Sequence, residues 1–159
     1  MKQVHKNQKF TNARLNAVQA LYACEFSDIP VTKIIFQFLN GEVGNTVINE
    51  NEKGKEEFIV LSDMDHELFT QIVQEAANRK DDLDKIISTA LAEGWQNDRL
   101  ELLLQSILRA GLSEFFVNTE LDSPIIINEY TDIARSFYDG PEIGLVNAVL
   151  NKFANVIRG

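Results

Sequence analysis

Apolar side chains recur at three- and four-residue spacing along almost the whole chain from Asn12 onward. That period places them on one stripe only if the backbone is α-helical, so the fold class is all-α. In the first segment Leu15, Val18, Tyr22 and Phe26 form the stripe, widened by Ala17, Leu21 and Cys24. Thr11 or Asn12 is placed to cap it, since either side chain can accept from the free N–H groups of a first turn. Ser27-Asp28-Ile29-Pro30 interrupts the pattern, and Ile34, Ile35, Phe38 and Leu39 mark a second helix.

Residues 40–57 are rich in Asn, Gly and Glu and read as a long, mobile loop. Ser62 or Asp63 is expected to cap the next helix, whose face is Leu68, Phe69, Ile72, Val73 and Ala76. Asp81 or Asp82 opens another, with Leu83, Ile86, Ile87, Ala90 and Leu91, and residues 94–98 connect it onward. Leu100, Leu103, Leu104, Ile107, Leu108 and Phe115 predict a well-buried helix in which Gly111 allows close approach of a neighbour. Two prolines announce the last two helices. Ser123-Pro124 and Gly140-Pro141 each pair a cap with a residue whose missing N–H costs nothing in a first turn. Ile125-Ile126-Ile127 alone could be a strand, but the helical spacing continues through Tyr130, Ile133, Ala134 and Phe137. The reading is seven helices and no sheet. One domain over 1–159 is expected, with a helical layer at about 11–80 and a second at about 81–158.

Charge and missing motifs narrow the function. The net charge is −9, yet residues 1–24 hold Lys2, Lys6, Lys9 and Arg14 and no acid. That segment is +4 and the remainder −13. Such a balance excludes a protein that coats nucleic acid non-specifically, and it leaves a basic arm for local attraction of an anion. Neither His5 nor His66 belongs to a metal-ligand spacing, and no phosphate loop, dinucleotide fingerprint or nucleophile elbow is present. No enzyme, metal or cofactor is expected. No membrane-length apolar run and no secretory signal is found, and the lone Cys24 reads as a reduced, packed thiol, so a cytoplasmic location follows. Arg109, Glu114 and Glu129 sit among apolar positions, where a charge needs a partner, and a pairing of Arg109 with Glu129 is expected. Asn128 and Asn147 are placed in the core by the same spacing.

Several segments in order resemble the NusB family of transcription antitermination factors. They are Arg14 with Ala17-Val18-Gln19-Ala20-Leu21-Tyr22, Ile107-Leu108-Arg109-Ala110-Gly111, Ile127-Asn128-Glu129-Tyr130, Ala134-Arg135-Ser136-Phe137 and Gly144-Leu145-Val146-Asn147-Ala148-Val149-Leu150. The resemblance implies two helical subdomains and no catalysis. It implies binding of single-stranded boxA RNA together with a small-subunit ribosomal protein, NusE in this role. The pair would join the RNA polymerase antitermination complex and promote ribosomal RNA synthesis. It also implies a partner surface at the start of the last helix, mapping onto Asp139, Glu142 and Leu145, and it leaves a homodimer open. Beside it, the residues themselves offer Lys6, Lys9 and Arg14 for phosphates and the Tyr22 ring for a base. The basic arm is thinner than the family's dense arginine cluster, so a protein-interaction module with weakened RNA binding is the alternative.

Overall fold

The computed structural model describes residues 6–41, 63–92 and 100–158. Among these residues there are seven helices and no strand: α1 (Lys6–Ser27), α2 (Val31–Leu39), α3 (His66–Asn78), α4 (Lys80–Ala92), α5 (Leu102–Val117), α6 (Ser123–Phe137) and α7 (Pro141–Arg158). The loop expected at 40–57 lies outside the described residues beyond Gly41, as do the 94–98 connector, Lys2, His5 and Ser62.

The apolar faces expected of α2, α3 and α6 are the ones that pack inward, with Leu39 partly buried and Phe137 open at its helix end. Helix α1 differs in two ways. It begins at Lys6, so Thr11 and Asn12 lie within it and cap nothing. Its buried side is also rotated from the expected stripe. Ala13, Arg14, Ala17, Val18, Ala20 and Leu21 are buried, together with Asn12 and Asn16, while Phe26 is 69% exposed. The reason is that α1 packs against α2, α3, α5 and α6 and so buries more than one face. Asp28, just past its end, takes the left-handed conformation (φ 56°) that lets the chain turn away.

Two further corrections concern caps. Asp65, not Ser62 or Asp63, caps α3, its carboxylate accepting from Leu68 N–H at 2.7 Å. Asp122 occupies the cap position of α6, so that Ser123 and Pro124 are already helical. Asn128 and Asn147 are exposed rather than in the core. Asn147 instead accepts from Asn151 one turn on.

Helix α5 packs against α1, α3, α4, α6 and α7. An unbroken run from Ser106 to Phe115 is buried as a result. Gly111 makes this possible on one side. A β-carbon there would lie 3.1 Å from both methyls of Leu150 on α7 and 3.3 Å from the Tyr130 ring on α6. Among the described residues no helix is long and apolar enough to cross a membrane.

Candidate nucleic-acid and partner interface

The expected site residues fall into two regions along α1. At its start, Lys6 opens the helix, and its side chain lies outside the described part. Lys9 is half-exposed, with its ammonium 3.8 Å from the Asp63 carboxylate. A surface pair of that kind is screened and contributes little, so Lys9 can exchange partners. The segment around Asp63 is tied to α1 by firmer bonds. Asp65 N–H donates to the Lys9 carbonyl at 3.1 Å, Asn12 Nδ2 to the Asp63 carbonyl at 3.0 Å, and Asn16 Nδ2 to Met64 Sδ at 3.2 Å.

Arg14 is not on the surface. It is 4% exposed, and its guanidinium is held by two carboxylates. Nε donates to Glu114 Oε1 at 2.8 Å and Oε2 at 3.1 Å, Nη2 to Glu114 Oε2 at 2.8 Å, and Nη1 to Glu129 Oε1 at 2.8 Å. Glu114 is fully buried and also accepts from Tyr130 Oη at 2.7 Å and Asn118 Nδ2 at 2.8 Å. Thr11 Oγ1 donates to the same Glu129 oxygen at 2.8 Å. Burial alone would lower the Arg14 pKa. The hydrogen bond and charge of Glu114 outweigh it and hold the guanidinium above its ordinary value. Burial and the Glu114 charge likewise push the Tyr130 phenol well above its usual range.

The pairing expected between Arg109 and Glu129 is therefore replaced by two separate networks. Arg109 Nε donates to Asp84 Oδ1 at 2.9 Å and Nη2 to Gln105 Oε1 at 3.1 Å, with Glu25 at 3.7 Å. Asp84 on α4 and Glu25 on α1 face the Arg109 guanidinium, while Glu129 is bound to Arg14 and Thr11. Cys24 lies next to that network, half-buried, its thiol pushed up by burial and by Glu25.

The second region lies about 20 Å along α1 from Lys9, at 1.5 Å per residue. Tyr22 is half-buried, and its ring stacks on Phe26 with centroids 5.6 Å apart and planes 14° from parallel. Tyr138, at the end of α6, donates from its hydroxyl to Glu101 at 2.6 Å. Its pKa is raised first by burial, then by the Glu101 hydrogen bond and charge, and further by Glu142 and Tyr22. Tyr22 on α1 and Glu142 in the first turn of α7 thus both act on Tyr138. Asp139 is exposed and Glu142 half-exposed, but Leu145 is 8% exposed and belongs to the core. Spacing explains the miss. Leu145 stands one residue before Val146 and one turn before Val149, within the buried stripe of α7.

A cleft of about 650 Å³ separates the start of α1 from α3 and the α5–α6 turn. Phe10, Leu68, Leu121 and Ile125 give it an apolar lining, and Arg14 and Glu129 line it as well. Phe26, Tyr138 and the Glu114 anchor were not singled out for function from the sequence. Two of them carried a signal: Phe26 lies one helical turn beyond Tyr22, and Glu114 is a charge set among apolar positions.

The NusB family matches residues 11–155, which contain the whole Arg14 network and the aromatic surface. The chain belongs to the NusB family. It is 38% identical over 153 residues to the transcription antitermination protein NusB of Rhodospirillum rubrum, covering 92% of this chain and 83% of that one. It is 34% identical over 151 residues to the same protein of Sphingopyxis alaskensis, covering 95% of each. Among solved structures, T. maritima NusB superposes with a TM-score of 0.66 at 21% identity, over 91% of this chain and 89% of that one, which shows a shared fold. In this NusB chain Lys6 and Lys9 precede the matched span, whereas Arg14, Glu114 and Glu129 lie inside it.

Proposed function

We propose that this chain is an RNA-binding transcription antitermination factor. In this reading it holds boxA-type single-stranded RNA jointly with a small-subunit ribosomal protein, in the cytoplasm, within the RNA polymerase antitermination complex. The two together promote read-through and ribosomal RNA synthesis. The observation that carries the reading is the family match across residues 11–155, with relatives that are transcription antitermination proteins. The geometry agrees with it. Lys6 and Lys9 stand where the first helix opens, and cations there meet phosphates together with the positive end of the helix dipole. The stacked Tyr22–Phe26 pair, with Phe26 open to solvent, offers a platform for a base. Asp139 and Glu142, at the start of the last helix, suit a basic ribosomal protein.

The binding is shared. Arg14 is neutralised by Glu114 and Glu129, which leaves Lys9 as the exposed cation among the described side chains of the first α1 turns. A thin basic surface gains affinity chiefly from a partner that adds its own cations. The same observation supports the second reading, a protein-interaction module on this fold that binds no RNA. Titration of labelled boxA RNA with and without the ribosomal protein separates them. Tighter binding with the partner is expected. Equal affinities would refute joint binding, and no binding in either titration would leave the interaction module.

A further inference from the structure

We propose that Arg14 serves RNA binding as a positioning residue, not as a phosphate ligand. This rests on the RNA reading above. Each guanidinium nitrogen already donates to a carboxylate at 2.8 Å, and the side chain is 4% exposed. A phosphate approaching it would meet the carboxylate of Glu129, which pairs with Arg14, lines the same cleft and is the more exposed of the two at 24%. What the network does instead is anchor a helix start. Thr11 and Arg14, one turn apart on α1, converge on the same Glu129 oxygen at 2.8 Å each, and Arg14 continues to Glu114 on α5. The first turns of α1, with Lys6 and Lys9, are thereby fixed on α5 and α6. Releasing them would make the RNA reorder that backbone on binding, which weakens association roughly tenfold for about one residue's worth of backbone freedom.

The experiment measures the affinity of a fluorescein-labelled boxA oligoribonucleotide for the chain premixed with saturating ribosomal protein, over a series of salt concentrations. Removing a true phosphate contact to single-stranded RNA flattens the plot of log K against log salt by about 0.7. Lys9→Gln is expected to do so. Arg14→Gln is expected to bind roughly tenfold more weakly with an unchanged slope. A slope that falls by about 0.7 for Arg14→Gln would overturn the assignment.

Glu129→Ala gives a second test with opposite signs, and it leaves the pair of Arg14 with buried Glu114 in place should Arg14→Gln not fold. If charge alone matters, deleting an acid near the RNA tightens binding. If Glu129 positions α1, binding weakens although a negative charge has gone. Weaker binding supports the assignment, and unchanged or tighter binding overturns it. No saturable binding by the unaltered chain would overturn the RNA reading itself, an outcome distinct from a changed slope.

Discussion

Glu114→Leu is the substitution whose consequence the structure specifies most tightly. The wild-type carboxylate is fully buried and accepts from Arg14, Tyr130 and Asn118. Leucine would leave Arg14 in the core with Glu129 as its one remaining carboxylate in the network. Breaking a buried pair by removing one partner costs about 3–5 kcal/mol, and an orphaned Tyr130 hydroxyl adds about 1–3. Together these approach the whole stability of an ordinary domain, about 5–15 kcal/mol. Arg14→Met should cost about as much as the broken pair, because Glu114 is then the uncompensated charge. The double variant buries no unpaired member of that pair. What it loses is the partners of Tyr130, Asn118 and Glu129, about 1–3 kcal/mol. The two singles would sum to roughly 7–13 kcal/mol if independent, so a coupling of at least about 4 kcal/mol is expected. Urea denaturation followed by far-UV circular dichroism gives all four corners of the cycle. An additive cycle, or a Glu114→Leu variant within about 1 kcal/mol of wild type, would refute the argument.

Four further outcomes follow from the same geometry. The Tyr130 phenol is held protonated above its ordinary value of about 10, whereas the unfolded chain ionises there. Its contribution is therefore intact below about pH 10 and lost as pH rises beyond it, and Tyr130→Phe should make the urea midpoint less sensitive to alkali. Arg158 donates to the carbonyls of Phe115, Asn118 and Leu121 and to Ser123 Oγ, and lies over the Phe115 ring. Arg158→Ala should lower stability by about 2 kcal/mol, read as a drop in melting temperature. Leu145→Arg, at a position that the family resemblance assigns to the partner surface, instead places a charge in the core and should cost about 3 kcal/mol or more. Glu142→Lys, half-exposed beside Tyr138, should leave the melting temperature unchanged while weakening ribosomal-protein binding in calorimetry.

Helices were legible wherever one face alone is buried. In α3 the five residues at helical spacing are the five that pack inward, because the other face meets solvent. In α1 the rule weakens, since packing against four helices buries Asn12 and Asn16 alongside Ala13 and Ala17. A periodic reading needs a polar face for contrast, and the middle of α1 has little of one. Phe26 was misplaced by the same route, having the right spacing but lying past the point where α1 is covered.

Arg14 shows where sequence reasoning stops. Among lysines at a helix start, an arginine reads as part of a basic surface. Yet Ala17, Val18 and Leu21 stand three, four and seven residues later, and all are buried, so Arg14 occupies a core position of its own helix. The sequence also showed that Glu114 and Glu129, set among apolar neighbours, needed a cation. What spacing cannot supply is which cation, because the partners lie 100 and 115 residues apart and meet only through helix packing. Arg109 is nearer in sequence and was the natural choice, but it was already committed to Asp84 and Glu25. Once Arg109 is accounted for, the two acids require Arg14, and Arg14 in turn cannot be offered to RNA. The thin basic surface and the buried network are thus one observation. The cation that fixes the first helix in place is the one that a direct RNA contact would have used.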